Sequence, residues 1–190
     1  MQYAKIAPIM SRLWGPLAAV STVWEGKANA QIALAIGGAS IVPEQSRVVV
    51  QLYKHNYTNE LARRSRVFCL NFLRKDQLQL MHHLGFTSGR DRDKLAAAPY
   101  RVGVTGSPVL LDCYGYLDCR VVNAMDGGDM TCFLAEVVDG DTFRPEAEQL
   151  WWDYVKKVMP AEWWEQWRKK MDVDVAWSRA HMSGIQGSPW

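Results

Sequence analysis

The sequence predicts a mainly β protein with helices, of the α+β class, in which a β-barrel or sandwich is followed by a helical extension. Short strand-like runs with short connections fill the chain up to residue 143, a pattern typical of barrels and sandwiches. Seven of the nine tryptophans lie in the last 40 residues: Trp151, Trp152, Trp163, Trp164, Trp167, Trp177 and Trp190. We therefore predict two domains, residues 1–143 and a tryptophan-rich helical extension over residues 144–190.

The middle of the first domain predicts strands that alternate with short helices. Residues 47–54 form a β-branched run, typical of a strand that is buried on both faces. Residues 66–73 alternate between two faces, as a half-buried strand does. Between them Thr58 is placed to cap a short helix over residues 59–65. A second short helix is expected over residues 77–84, because a glycine follows it.

A hairpin is predicted in the last third of the first domain. Residues 109–125 and 130–138 are apolar runs separated by the glycine-rich turn at residues 126–129, and such a turn between two strand-like runs is a hairpin signal. The sequence at residues 139–141, Asp-Gly-Asp, is expected to end the second strand. No G-x-G-x-x-G motif follows a strand and opens a helix, so a Rossmann dinucleotide site is not expected.

The second domain predicts two helices, residues 146–158 and 161–171, with Pro160 placed to start the second. In that helix Trp163, Trp164 and Trp167 form an apolar stripe. Such a stripe ordinarily packs against the barrel or a partner subunit. It can also serve as a lid over a flat ligand, because large aromatic side chains cover planar rings well.

Composition excludes several classes of protein. The 190 residues carry 22 basic and 20 acidic side chains, a net charge of +2, which argues against a nucleic-acid partner. No apolar run has the length that a membrane span needs, so no membrane partner is expected. A secretory leader is disfavoured because Pro16 interrupts the first apolar run. We expect a cytoplasmic protein.

The cysteines and histidines do not predict a metal site. Cys69, Cys113, Cys119 and Cys132 form no C-x-x-C pair and lie within apolar runs. We interpret them as reduced core thiols rather than as a disulfide framework or zinc ligands. The sequence also contains no paired carboxylates and no Ser/His/Asp set, so no catalytic side chain is assigned.

Five motifs in order resemble the flavin reductase-like, FMN-binding split-barrel family. The first is the small-residue segment KANAQIALAIGGASIVP at residues 27–43, and the second is the segment from the strand at residue 47 to LNFL at residues 70–73. The third, SGRDRDKL at residues 88–95, is similar to that family's S-G-R-x-x-D-K-F. The segments GSPVL at residues 106–110 and LDCRV at residues 117–121 resemble its later strands.

The resemblance covers about residues 15–140 and implies a Greek-key split β-barrel that binds FMN, with FAD as an alternative. It implies a homodimer, because this family places the flavin at the subunit interface. It also implies an oxidoreductase that transfers hydride or electrons through the bound flavin, with NAD(P)H as a candidate donor.

Residue chemistry and the resemblance together give the candidate flavin-binding residues. A phosphate group needs backbone N–H groups at a helix N-terminus and a cation, which the segment around Thr58 and the basic side chains can supply. In the family the small-residue strand lies along the isoalloxazine ring. The candidates are Asn29, Ala30, Gln31, Ile32, Ala33, Lys54, Asn56, Tyr57, Thr58, Ser88, Arg90 and Lys94.

Each group of candidates also has a purely structural interpretation. Thr58 can be a plain helix cap, residues 90–94 can be a solvated charged loop, and the small residues of the first strand can serve tight barrel packing. These alternatives stay open at the level of the sequence.

One departure from the family bears on the electron donor. The family's reductases commonly carry G-D-H in the hairpin, with the histidine on the nicotinamide side of the flavin, whereas this chain has Gly128-Asp129-Met130. Methionine neither donates nor accepts a proton. Two alternatives therefore accompany the reductase interpretation: a flavoprotein of this fold with another donor, either an electron carrier or a specialised enzyme, and a non-catalytic module that binds a flat ligand.

Overall fold

The computed structural model describes residues 3–182, which form nine strands and five helices. The strands are β1 (Ala18–Trp24), β2 (Lys27–Ala33), β3 (Ile36–Gly38), β4 (Arg47–Tyr53), β5 (Val67–Phe72), β6 (Tyr100–Val102), β7 (Pro108–Leu110), β8 (Gly115–Asp126) and β9 (Met130–Thr142). The helices are α1 (Ala7–Met10), α2 (Tyr57–Ser65), α3 (Leu78–Gly85), α4 (Trp152–Val158) and α5 (Ala161–His181). Trp190 lies outside the described residues.

Seven strands form one antiparallel sheet in the order β2-β1-β5-β8-β9-β4-β3, and β6 pairs with β7 separately. The chain passes from the first strand of this order, β2, to the last, β3, through only Leu34 and Ala35. The Gln51 backbone N–H donates to the Ala35 carbonyl across this junction, at 3.0 Å. The two edges of the sheet therefore approach each other, and the sheet curls into a half-barrel. The predicted α+β split-barrel fold is confirmed.

The tight β1–β2 turn depends on left-handed backbone conformations. Glu25 and Gly26 connect the strands with φ angles of 48° and 73°. Two consecutive positive φ values are typical of the two-residue hairpin turns whose twist matches the flanking strands. This turn fixes the register in which Asn29 pairs with Thr22.

Two apolar cores pack on opposite faces of the curled sheet. The barrel interior contains Val50, Phe68 and Phe133, which are almost fully buried. The outer core lies between the sheet and the helices, and includes Leu84 of α3 and Val155 of α4. The segment after residue 143 thus packs into the same outer core as the barrel, while the predicted boundary between two domains stays a prediction.

Three strand predictions differ from the structure. In β4 only the face with Val48, Val50 and Leu52 is buried, so the expectation of burial on both faces was wrong. The stretch 109–125 is not one strand, because its first residues belong to β7, which pairs with β6. Strand β9 continues through residues 139–141 to Thr142, because β8 pairs with it over that whole length.

The helices also differ in their bounds. α2 begins at Tyr57 after Asn56, so Thr58 is inside the first turn and is not the cap. The helix predicted over residues 146–158 begins only at Trp152, because the preceding segment is extended and its Leu150 N–H donates to the Leu73 carbonyl at 2.8 Å. α5 extends ten residues beyond the predicted end at residue 171.

Candidate flavin site

A cavity of about 830 Å³ lies between the edge of the sheet and helix α5. One of its walls is β2, which pairs only with β1, so its free edge presents backbone N–H and C=O groups. Helix α5 supplies Trp164, Trp167, Met171 and Asp174, whose spacing places them on one helical face. The cavity is thus bounded along its length by one edge strand and one helix.

At one end of the cavity, which we call the α2 end, the N-terminus of α2 contacts the middle of β2. The Asn29 side-chain amide donates to Thr58 Oγ1 at 2.8 Å. Both residues are at least 97% buried, so this hydrogen bond has almost no competition from water. The first N–H groups of an α-helix have no partner within the helix, and here they lie at the cavity wall.

The turn after α3 closes the α2 end. Gly89 packs directly on Asn29, since a Cβ atom at this glycine would lie 2.0 Å from Asn29 Oδ1. Arg90 ties the turn to α2 by donating to the His55 carbonyl at 3.0 Å and to Glu60 Oε2 at 2.8 Å. Its guanidinium also lies over the Tyr57 ring, 5.0 Å from the centroid. The Ser88–Arg90 turn is therefore held against the helix N-terminus.

Lys94 is a buried cation on the cavity wall. Its side chain is only 3% exposed, and its ammonium donates to the carbonyls of Leu84 and Thr87 at 2.8 and 3.1 Å. Burial, reinforced by the nearby Lys170, lowers the pKa of Lys94 to about 8. No carboxylate within the described residues pairs with Lys94, so its charge is available to an anion in the cavity.

Ten of the twelve candidates line this cavity: Asn29, Gln31, Ile32, Ala33, Asn56, Tyr57, Thr58, Ser88, Arg90 and Lys94. Ala30 is fully buried in the outer core and lies outside the cavity wall. Lys54 also lies outside it, where its ammonium pairs with Asp126 at 2.5 Å. Gln31 is 8% exposed, and its Oε1 is buried without a hydrogen-bond partner.

Sequence reasoning missed a charged cluster that fastens α5 to the α2 end. His55 Nε2 lies 2.9 Å from Asp174 Oδ1, and because an ionised carboxylate only accepts hydrogen bonds, His55 Nε2 is the donor. Lys170 pairs with the other Asp174 oxygen. Burial alone would raise the pKa of Asp174, but the hydrogen bonds from His55 and Lys170 hold it below its ordinary value. The i,i+4 spacing of Lys170 and Asp174 was the available sequence signal.

The three tryptophans of the predicted stripe all pack against the outer core, and two of them also line the cavity. Trp163 is buried in the outer core and stacks on His82 with centroids 4.1 Å apart. Trp164 and Trp167 are partly buried against the same outer core and also line the cavity. The stripe therefore packs on its own barrel and also borders the cavity, while its role as a lid over a flat ligand stays a prediction.

Met130, at the start of β9, also lines the cavity.

The four cysteines are unpaired thiols, of which Cys69, Cys113 and Cys119 are fully buried. Between residues 3 and 182 no cluster of three or more metal-ligating side chains is present. Nor does any helix in that range combine the length and apolarity of a membrane span.

Comparison with known proteins agrees with this architecture. The family model described as "Flavin reductase like domain" matches residues 10–160. The reductase component of 4-nitrophenol 4-monooxygenase/4-nitrocatechol 2-monooxygenase from Rhodococcus opacus is 36% identical over 92 residues, which cover 48% of each chain. High molecular weight rubredoxin from Moorella thermoacetica is 29% identical over 113 residues, covering 58% of this chain and 48% of that protein. The matched part of the chain thus spans about half the length of these curated relatives.

Solved structures show the same fold. An FMN-binding protein from Thermus thermophilus, solved with bound p-hydroxybenzaldehyde, is 28% identical with a TM-score of 0.64, covering 68% of this chain and 73% of that one. Flavoredoxin from Methanosarcina acetivorans is 22% identical with a TM-score of 0.63, covering 67% and 68%. The fold is the split barrel that these proteins share. The chain belongs to the flavin reductase-like family, as the resemblance predicted.

Proposed function

We propose that this protein binds FMN in the cavity beside β2, with the phosphate at the α2 end and the ring along β2, and passes electrons through it. The observation that carries the proposal is the arrangement at the α2 end. One wall there contains the N-terminus of α2, the hydrogen-bonded side chains of Asn29 and Thr58, and Lys94. Lys94 is buried and pairs with no carboxylate among the described residues. A dianionic phosphate is the ligand that such donors and such a cation match.

The phosphate group would be held by donors from three segments. The N–H groups at the start of α2 and the Thr58 hydroxyl supply hydrogen bonds, since Thr58 Oγ1 already accepts from Asn29 and has its own proton to donate. Arg90 and Lys94 supply positive charge from the turn after α3. Arg90 is about half exposed, as the alternative of a solvated charged loop predicts, whereas Lys94 is buried and does not fit that alternative.

The flavin ring would lie against the free edge of β2. Ala33 leaves room beside the backbone, and the unpaired N–H and C=O groups of an edge strand suit the polar edge of the ring. Gln31 has a buried amide oxygen with no partner, and a buried polar atom of this kind is costly unless a ligand satisfies it. The Gln31 amide is therefore assigned to the polar edge of the ring.

When bound, the flavin supplies the hydride and electron chemistry that no side chain of this cavity can perform. The chain's contribution is to bind and orient the cofactor and to exclude water. Helix α5 covers the cavity opposite β2, with Trp164 and Trp167 on its wall, so the ring would lie in a largely apolar space.

NAD(P)H is the proposed electron donor, supported by the relative named as a reductase component. Met130 is the observation that favours the second candidate, a flavoprotein with another donor, because its side chain on the cavity wall cannot hydrogen-bond a nicotinamide as a histidine can.

FMN is preferred over FAD because the α2 end matches one terminal phosphate. A homodimer is also proposed, supported by Ile41, which is fully exposed. Cytoplasmic location, like the lack of a nucleic-acid partner, stays a prediction.

The test is the visible spectrum of the purified protein, followed by anaerobic addition of NADH or NADPH. A yellow protein that is bleached within seconds establishes a nicotinamide-dependent reductase. If the colour persists until dithionite is added, the second candidate is correct, and the Met130→His variant should then gain reduction by NAD(P)H. A colourless protein that takes up no added FMN contradicts the proposal and favours a flat-ligand binding module.

The dimer is tested by light scattering, and a measured mass of 21.6 kDa, that of one chain, would contradict it.

A further inference from the structure

The end of the cavity opposite the α2 end is built from tryptophans. Trp152 of α4 and Trp164 and Trp167 of α5 contact one another, with ring centroids 5.5–6.3 Å apart. The Trp164 and Trp167 rings are nearly perpendicular, at 87°. Trp14 also lines this end. We call these four residues, together with Lys156 of α4, the α4 end of the cavity.

The α4 end is separate from the place assigned to the phosphate. Backbone hydrogen bonds tie it to the end of β2, since the Gly15 N–H donates to the Leu34 carbonyl at 3.2 Å and the Trp152 N–H to the Gly15 carbonyl at 3.4 Å. Thr58 instead bonds Asn29, five residues earlier on β2. At about 3.3 Å per residue the two ends are on the order of 16 Å apart along the strand.

Charge distinguishes the α4 end from a simple apolar pocket. Within residues 3–182 the cavity wall carries four cationic side chains, Arg90, Lys94, Lys156 and Lys170, and one carboxylate, Asp174. Arg90 pairs with Glu60 and Lys170 pairs with Asp174, and a bound phosphate would neutralise Lys94, which leaves Lys156 for a second anion. Lys156 pairs with Asp153, but the Asp153 side chain is 77% exposed, and exposed pairs of this kind contribute little. Lys156 can therefore exchange that partner for an anion in the cavity.

We propose that the α4 end binds a small planar aromatic carboxylate beside the flavin. The ring of such a ligand would pack on the faces and edges of Trp14, Trp164 and Trp167, as aromatic pairs prefer. Its carboxylate would accept from Lys156. The inference rests on the proposed flavin site, because the flavin ring along β2 would face Trp164 and Trp167 across the cavity and give the ligand a planar neighbour.

The experiment uses 4-fluorobenzoate as the probe, observed by ¹⁹F NMR in the FMN-loaded protein, with 4-fluorobenzamide as its uncharged counterpart. Lys156→Met is expected to weaken 4-fluorobenzoate binding about fivefold, the size of a partly exposed charge interaction. Lys157→Met is the matched control, because Lys157 is the next residue of α4, is exposed and lies off the cavity wall. The amide should bind more weakly and respond to neither variant.

Three results would overturn the inference: no binding of 4-fluorobenzoate, equal effects of the two lysine variants, or release of FMN by the probe. The last result would place the probe in the flavin's own position. Absorbance titration of FMN, made first, separates the two claims. A protein that binds no FMN contradicts the proposed function, whereas one that binds FMN but not 4-fluorobenzoate contradicts only this inference.

Discussion

Gly89 lies so close to Asn29 that a single added carbon would displace the Asn29 side chain, since a Cβ atom would lie 2.0 Å from Asn29 Oδ1. The Asn29 amide in turn donates to Thr58. The turn after α3, the edge strand and the start of α2 are therefore mechanically coupled at the α2 end.

Gly89→Ala should weaken FMN binding about tenfold. The added methyl group would displace Asn29, and Thr58 would lose the hydrogen bond that orients its hydroxyl toward the phosphate. Gly38→Ala is the control, since a Cβ atom there meets nothing within 4 Å. Affinity is measured by the change in flavin fluorescence on titration. Equal affinities in the two variants would show that the Gly89–Asn29 contact does not shape the site.

FMN affinity should fall as the pH rises through about 8. Lys94 is charged below its pKa of about 8, which burial lowers, and it attracts the phosphate only in that form. Binding the anion should raise the pKa of Lys94 and take up protons near pH 8. Calorimetry in buffers of different ionisation enthalpy measures this uptake. Riboflavin, which lacks the phosphate, is the control, and an equal pH dependence for both ligands would exclude Lys94 from phosphate binding.

Asp174→Asn should speed FMN dissociation about tenfold or more, because it breaks the buried pairing with His55 and Lys170 that holds α5 over the cavity. Asp172→Asn is the matched control, since Asp172 is exposed on the same helix. Stopped-flow displacement of FMN measures the rate. If neither variant changes it, α5 does not limit flavin release.

Cys132 should be the first cysteine to react with a thiol reagent in the native protein. Burial raises the pKa of Cys69 and of Cys119, and raises that of Cys113 to about 12, so these three thiols are almost entirely protonated at pH 8. Cys132 is less buried. Mass spectrometry should find one fast label that Cys132→Ser removes. Fast labelling of several cysteines would mean that the barrel opens readily.

Local patterns predicted the barrel strands, and together with the family resemblance they gave most residues of the α2 end, because these features depend on short-range order: a small-residue strand, a helix start and a glycine turn. The His55–Asp174 pair was not predictable, since it joins residues 119 positions apart. The extended segment before α4 was also missed. Its helical composition is overridden by backbone pairing with Leu73 and Leu17, a tertiary effect that no local pattern contains.

The strand at residues 109–125 shows the same limit. Its apolar composition is continuous, yet between Leu110 and Gly115 the chain passes from the separate β6–β7 pair to the seven-stranded sheet. The break is fixed by a distant side chain, because the Leu110 N–H donates to Asn71 Oδ1 at 2.7 Å. Hydrophobic patterning cannot distinguish one long strand from two short ones that pair with different partners.

If the FMN phosphate binds at the start of α2, the donors there set the ratio of FMN to riboflavin affinity. Thr58→Val removes the hydroxyl at that position, whereas Thr22→Val removes an equally buried hydroxyl that bonds the Val67 carbonyl away from the cavity. We predict that Thr58→Val lowers the ratio about tenfold while Thr22→Val leaves it unchanged. A ratio that Thr58→Val does not alter would contradict phosphate binding at this position and place the phosphate elsewhere.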